Sequence, residues 1–408
     1  MRIVILTIGT RGDVQPFVAL ARGLRAGGHQ PLIVAPEAFE SFITSYGVEY
    51  APFPGDPAAF IQNLVDRGGS RVRLIGEVMR FAMPIARDVL HRALDASRGA
   101  DVILASFLLT VGGYQVAQQR DVPFISAQLF PTFTPTSAFP MAGFPGGGPF
   151  ANRLSHHLST TLFWNSSRIA YQVLKRQAPE IPRRLENPFG RSLRTLYGFS
   201  PLVLPPPSEW DDRTRVTGYW FLDTSHGWTP PQILSDFLAA GEPPVYVGFG
   251  SMVTREAERL SGVVIEALRR TRQRAILLGG WGKFGGSSLP DHILQLDSAP
   301  HDWLFDRVAA TVHHGGAGTT GAALRAGKPT LIVPFTADQP FWGARAAAMG
   351  VAPAPIPHKR LIVENLTAAL ERLRDDTVMR ERAAEVGRAI RAENGIGDAS
   401  RAIEALIR

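Results

Sequence analysis

RIVILTIGTRGDVQPFVALARGLRAGGHQPLIVA, from Arg2 to Ala35, carries the pattern on which the fold turns. Arg2 to Ile8 is an apolar run of strand length. A glycine-containing turn follows, Gly9-Thr10-Arg11-Gly12-Asp13. Val14, Phe17, Leu20, Ala21 and Leu24 then recur at close to the 3.6-residue period of a helix buried on one face. Gly27-Gly28 ends that helix, and Pro31 to Ala35 is a second apolar run. Strand, helix, strand implies parallel pairing through a right-handed crossover. Asp101 to Ala105 and Pro123 to Gln128 read as further short buried strands, so the first half is a doubly wound α/β sheet.

Phe, Pro, Thr and Gly then dominate from Phe130 to Phe150, and no charged residue occurs between Val122 and Asn152. A loop of that length is either a cover packed on the core or an apolar wall for a greasy substrate. Leu204 to Pro207 and Thr229 to Pro244 are Pro-rich and read as an interdomain crossing. Beyond them βα alternation restarts, with strands at Pro244 to Phe249, Ala275 to Leu278, Ile293 to Leu296, Ala309 to His313 and Thr330 to Val333. The last helices span Val363 to Glu393 and Ala399 to Ile407, separated by Gly395 and Gly397. The expected organisation is a first domain over 1–225, a second over 226–390, and a terminal helix within 391–408 able to pack back on the first.

The 408 residues are 45% hydrophobic, 19% charged and 9% aromatic, a globular composition that excludes wholesale disorder. There is no cysteine, which excludes disulfides, thiolate metal sites and a cysteine nucleophile. The net charge of +7 suits a phosphate-bearing ligand, an anionic membrane surface or nucleic acid. No run of five basic residues exists and none is interleaved with aromatics, so nucleic acid is not an expected partner. Met1-Arg2 leads straight into a run too short for a secretory signal core. The uncharged stretch Val102 to Gln119 is broken by Ser106, Gly112, Gly113 and Gln115. The cytoplasm is the expected compartment, with weak peripheral membrane contact as the further expectation.

The segment richest in chemistry is His313-His314-Gly315-Gly316-Ala317-Gly318-Thr319-Thr320-Gly321, between an apolar strand and a helical stretch. Strand, glycine turn and helix present free backbone N–H groups and a positive helix end to a phosphate. Thr319 adds a hydroxyl and His314 a ring nitrogen. Adjacent histidines on a strand point to opposite faces, so one of the two faces the ligand. The literal G-x-G-x-x-G at Gly316, Gly318 and Gly321 also fits a dinucleotide, with Asp338 some twenty residues on. Against that stand the histidine before the glycines and the loop position of Asp338-Gln339-Pro340. Gly248-Phe249-Gly250-Ser251 is a second phosphate turn or a plain Ser helix cap. Asp13 is a helix cap or a general base. No D-x-D motif and no P-loop occurs, so metal-bridged diphosphate and P-loop chemistry are not expected.

Two blocks together resemble the nucleotide-sugar glycosyltransferases of the two-Rossmann, GT-B type, above all sterol 3β-glucosyltransferases and bacterial antibiotic and macrolide glycosyltransferases. One is GTRGDVQPF at Gly9 to Phe17. The other runs from APHDWLF at Ala299 to Phe305, through HHGGAGTT, to GKPTLIVPFTADQPFWGARA at Gly327 to Ala346. The resemblance implies two Rossmann-like domains facing a cleft. It implies that Ser251, His314, Gly316, Gly318 and Thr319 hold the donor diphosphate, that Asp338 and Gln339 bind the transferred sugar, and that Pro300, His301 and Trp303 receive the nucleobase. Plant-type members open this box with a base-stacking Trp; here Ser298-Ala299-Pro300-His301 stands there, which leaves Trp303. Asp13 would be the base, acting without the histidine of plant-type members. The implied reaction is inverting transfer of a hexose, glucose from UDP-glucose first and a dTDP-sugar next, with no cofactor or metal. The acceptor would be lipophilic: a sterol or triterpenoid, a polyketide aglycone or a hydroxylated lipid. Phe81, Phe130, Phe139, Met141 and Phe144 are the expected acceptor pocket, with Phe60 and Met83 beside them. The alternatives are a nucleotide-sugar epimerase or hydrolase on the same scaffold and a non-catalytic nucleotide-binding or NAD protein.

Overall fold

A computed structural model of the chain describes residues 1–55, 85–177, 185–190, 193–250, 256–279 and 289–407. Ser251, Phe60, Phe81 and Met83 lie outside the described residues. The chain divides into two compact units. Unit 1 comprises Met1–Pro201, Pro205–Leu222 and Asn394–Arg408; unit 2 comprises Leu202–Leu204 and Asp223–Glu393.

In unit 1 the strands are β1 (Arg2–Leu6), β2 (Gln30–Pro36), β3 (Glu49–Phe53), β4 (Val102–Ala105), β5 (Phe124–Gln128), β6 (Thr195–Tyr197) and β7 (Thr214–Val216). They form a parallel sheet in the order β3-β2-β1-β4-β5-β6-β7. Side chains alternate across a strand, and both faces of this sheet are covered, so β1 reads as unbroken apolar sequence. Ile3 and Ile5 enter one core with Val14, Phe17 and Leu20 of helix α1 (Arg11–Ala26), while Val4 and Leu6 enter the opposite core with Ile103, Phe124 and Leu90. Helix α2 (Thr110–Arg120) follows β4, and helix α3 (Gly148–Gln177) lies between β5 and β6.

Unit 2 holds a parallel sheet in the order β10-β9-β8-β11-β12, with β8 (Val245–Gly248), β9 (Ala275–Leu278), β10 (Ile293–Leu296), β11 (Ala310–His313) and β12 (Thr330–Ile332). The same alternation sends Val245 and Val247 to one core and Tyr246 to the other. Its helices include α4 (Ala257–Thr271), α5 (Ala317–Arg325), α6 (Gln339–Ala348) and α7 (Thr377–Arg391).

The final helix, α8 (Gly395–Ile407), is part of unit 1. Ala399, Ile403 and Leu406 enter the α1 core, and His29 Nε2 lies 3.0 Å from Glu404 Oε1. Two expectations are corrected here. Gly395 and Gly397 do not separate two helices; α8 begins at Gly395, which sits so close to the Gly218–Tyr219 backbone that a side chain would collide there. Val363 to Glu393 is not one helix either: Asp376 stops the first at Asp375 and caps α7 by accepting the Met379 N–H at 2.9 Å. Among the described residues no helix is long and apolar enough to cross a membrane.

Candidate active site

In an open parallel sheet, ligands bind beyond the carboxyl ends of the strands where the strand order reverses. In unit 2 that point lies between β8 and β11, whose register pairs Gly248 with His313. Both glycine turns seen in the sequence therefore leave neighbouring strands side by side. Gly250 adopts φ +58°, a backbone that favours glycine, and an added side chain there would face the His314 ring at 3.5 Å.

The two histidines differ as their alternation requires. His313 is fully buried, and its Nδ1 accepts the Gly315 N–H at 3.0 Å. That bond places the ring proton on Nε2, which is buried without a hydrogen-bond partner. Burial, and then the neighbouring His314 and His301, hold His313 well below the usual imidazole range. His314 is half-buried and is pushed down to about 4 by burial, against an opposing pull from the Gly248 carbonyl. It is neutral at pH 7 and supplies a ring N–H rather than a full charge.

Gly315 turns the chain at φ +90°, where a Cβ would stand 2.5 Å from Ile332 Cγ2. Gly316 is the N-cap of α5 and has no side chain to cap it; a Cβ there would sit 2.7 Å from His314 Nε2. The N–H groups of Ala317, Gly318 and Thr319 therefore open the helix without intrahelical acceptors, and Thr320 N makes the first helical bond, to the Gly316 carbonyl at 2.9 Å. Gly318 is exposed, and a Cβ on it would touch nothing within 4 Å. A helix start with open amides, a bare glycine and a neighbouring imidazole is an anion cradle.

Asp338 is the N-cap of α6, and its Oδ2 accepts the Trp342 Nε1–H at 2.8 Å. Ala337 before it has φ +56°, a left-handed backbone uncommon for alanine. Gln339 is buried, and its Oε1 accepts the Phe335 and Thr336 N–H groups at 2.8 and 3.1 Å. That carboxamide oxygen is committed to the loop. Pro300 caps the short helix His301–Leu304. His301 stacks on Phe305 at 4.4 Å and lies 3.2 Å from the Tyr246 hydroxyl, whereas Trp303 packs edge-on to Trp228 at 5.1 Å beneath the Arg307 guanidinium. The three expected nucleobase residues thus split, His301 toward β8 and Trp303 toward Trp228.

In unit 1 the strand order reverses between β1 and β4, and Asp13 stands in the first turn of α1 just past β1. Its Oδ2 accepts the Thr10 N–H at 2.7 Å and the Thr10 hydroxyl at 2.9 Å. Burial pushes the carboxyl above the ordinary aspartate range, and the two Thr10 bonds pull it part of the way back. Gly9 has φ +136°, and a Cβ there would overlap Asp13 Oδ2 and stand 2.5 Å from its Cγ. Only glycine lets the carboxylate fold back over this turn.

The Phe-rich segment is pinned to β6, where the Tyr197 hydroxyl bonds both the Thr132 N–H and carbonyl. Phe130 meets Phe107 at 5.1 Å, in a cluster that continues through Phe133, Phe163 and Phe189. Phe139 packs edge-on to Trp210 and His156, both at 6.0 Å. Met141 is buried with its N–H donated to Ser155 Oγ at 2.9 Å, and Phe144 is half-exposed. Sequence reading missed Phe107, Phe163 and Phe189. They come from three separate segments, and only the fold assembles them. Among the described residues no group of three or more His, Asp or Glu side chains is placed to hold a metal ion.

Comparison with known proteins agrees with this architecture. Residues 3–140 match the glycosyltransferase family 28 N-terminal domain, and residues 282–403 match the erythromycin biosynthesis protein CIII-like C-terminal domain. A sterol 3-beta-glucosyltransferase of Emericella nidulans is 37% identical over 422 aligned positions, covering 99% of this chain and 30% of that protein. One from Arabidopsis thaliana is 36% identical over 98% of this chain and 65% of its own length. The chain therefore spans about a third of the fungal relatives. Among solved structures, the glycotransferase of kitacinnamycin superposes with a TM-score of 0.74 at 18% identity, covering 100% and 99% of the two chains. The glycosyltransferase VinC, solved with dTDP, gives 0.71 at 18% identity, covering 99% and 100%. Two doubly wound parallel sheets, a family 28 match over the first third of the chain and relatives named glucosyltransferases along nearly the whole chain place this protein in the GT-B glycosyltransferase family.

Proposed function

We propose that the protein transfers a hexose, glucose from UDP-glucose first among donors, to a hydroxyl of a lipophilic acceptor, a sterol or triterpenoid first among acceptors. The observation that carries the donor half is the open start of α5, where three amide N–H groups, the bare Gly318 and a neutral His314 converge beside a second glycine turn. Such a cradle binds the diphosphate and stabilises the charge that builds on it as it leaves. The names of the relatives support glucose and sterol, and the dTDP held by VinC supports a nucleoside diphosphate.

In this reading Asp13 is the base. One oxygen is held by Thr10, and the raised pKa makes the carboxylate a better proton acceptor than an exposed aspartate. It takes the acceptor's hydroxyl proton as that oxygen bonds to the anomeric carbon. The bond from that carbon to the diphosphate oxygen breaks with its electron pair, and the nucleoside diphosphate leaves from the opposite face, inverting the configuration. Asp338, steadied by Trp342, receives sugar hydroxyls with Gln339, and His301 is the first candidate against the base. The Phe107–Phe130 cluster and Phe144 form the acceptor's apolar wall. No metal is required, because amide dipoles and His314 meet the leaving charge.

A donor-by-acceptor panel read by mass spectrometry, with and without EDTA, tests this. The expected result is acceptor-dependent release of UDP or dTDP and a product heavier by one hexosyl residue, unchanged by EDTA. Nucleotide release without acceptor would favour a hydrolase. A thermal shift with NADH and not with UDP or dTDP would end the glycosyltransferase reading.

A further inference from the structure

Helix α3 is 30 residues long and presents a large apolar surface to solvent. Phe150 is 82% and Ile169 61% exposed, and Leu154, Leu158 and Leu162 lie between 43% and 48%. The four residues from Phe150 to Leu162 follow one another at intervals of four, so each step advances about 40° and the row winds slowly along one side of the helix. Ile169 extends the same side. On the opposite side Asn152, Ser155, His156, Tyr171 and Leu174 are buried, so α3 is fixed to unit 1 by one face and carries a separate apolar stripe outward. Single exposed apolar residues are ordinary; four at successive turns, with Ile169 two turns further on, mark an interaction surface.

The charge around the stripe identifies the occupant. Arg153, His157, Arg168 and Lys175 line one of its edges. No Asp or Glu occurs anywhere from Val122 to Pro179. Glu180 follows that stretch in the sequence. Among the described residues Glu209 reaches Arg153 at 3.8 Å and otherwise accepts hydrogen bonds from Thr136 and Ser137. The stripe also begins at an exposed glycine and proline tip, Pro145 to Pro149, from which Phe150 projects. An apolar row, an edge richer in basic than in acidic groups and an aromatic residue at the tip are what a helix needs to lie in the headgroup region of an anionic bilayer. We propose that α3 is a membrane-docking element, which seats unit 1 on an anionic lipid surface with Phe150, Leu154, Leu158 and Ile169 among the acyl chains and Arg168 and Lys175 at the phosphates. A second copy packed antiparallel on this face would place two cationic edges together, which disfavours that dimer. The inference does not depend on the transfer reaction, since binding is measured without donor or acceptor.

Co-sedimentation of the full chain with vesicles tests it. On phosphatidylglycerol and phosphatidylcholine at 40:60 the protein is expected in the pellet, and on pure phosphatidylcholine or in high salt mostly in the supernatant. Leu158→Glu with Ile169→Glu should weaken binding at least 10-fold. Arg168→Gln with Lys175→Gln should weaken it roughly 20- to 30-fold on anionic vesicles only. All four positions are at the surface, so thermal stability and the nucleotide-induced thermal shift should not change; Ile169→Ser is the milder check if either double variant misfolds. Wild-type protein that stays in the supernatant at every composition, or variants that pellet like wild type, would overturn the proposal. So would a dimer in solution that Leu158→Glu converts to monomer.

Discussion

Gly318→Ala should move stability and nucleotide affinity in opposite directions, and the structure fixes both signs. Gly318 lies in the first turn of α5, is exposed, and has nothing within 4 Å of the position its Cβ would take. Alanine therefore fits, and exchanging glycine for alanine in a helix gains up to about 1 kcal/mol, less this close to the end. For a unit of this size that is a rise in Tm of up to roughly 2–4 °C. In the first turn, however, Cβ leans toward the amino end of the helix, along the path by which an anion reaches the amides. A hydrogen bond to a charged partner contributes about 1.5–3 kcal/mol, so blocking one weakens UDP about 10- to 100-fold. Differential scanning calorimetry and isothermal titration with UDP, on the same preparation, read the two effects. A more stable Gly318→Ala that binds UDP as tightly as wild type would refute the assignment of the diphosphate to this helix start.

Gly9→Ala places a methyl where the Asp13 carboxylate lies, so transfer should fall at least 100-fold while UDP affinity stays within a factor of two; equal losses in both would mean general damage. Because burial raises the Asp13 pKa, the acid limb of kcat/KM should lie above the ordinary aspartate range, activity falling as pH drops through it. Thr10→Val removes a bond that favours the charged carboxylate, so its limb should move to higher pH; a shift downward would contradict the geometry. His314, neutral in the fold and held near 4, costs stability as the unfolded chain takes up its proton, so nucleotide-free protein should weaken from about pH 6.5 down toward 4, less so in His314→Asn. Gly387→Ala would bring a methyl to 2.5 Å from the Gly327 Cα, where α7 packs beneath the end of α5, and should cost about 1–3 kcal/mol by thermal melting.

Much of the fold was legible because both sheets are parallel and buried on both faces. β1 is unbroken apolar sequence, and the helix after it repeats at the helical period, so the first βαβ unit needed no tertiary information. The same holds for the strand, turn and helix around His314. Elements went unread where local sequence pulls the other way. β3 contains Pro52, which an edge strand tolerates and which argues against a strand in sequence. β6 and β7 are three residues each, too short for a periodic signal. α3 opens on Gly148-Pro149, at the end of a glycine and proline stretch, and its outward apolar stripe blurs the contrast between faces on which sequence reading relies. Asp376 breaks the last long helical pattern through a single cap. At the site, the histidines and glycines announced themselves, but the collision that makes Gly9 necessary to Asp13 appears only once the turn is folded. The loop bonds that occupy Gln339 are likewise invisible beforehand.

The most direct measurement is single-turnover transfer by Asp13→Asn beside wild type, in EDTA, with UDP-glucose, a sterol acceptor and UDP affinity measured in parallel. The substitution keeps the size of the side chain and removes the base. Asp13→Asn should bind UDP like wild type and form glucoside at least a thousandfold more slowly, while wild type forms it fully without metal. Asp13→Asn that still transfers, or wild type that falls silent in EDTA, would contradict a metal-free transfer driven by one carboxylate.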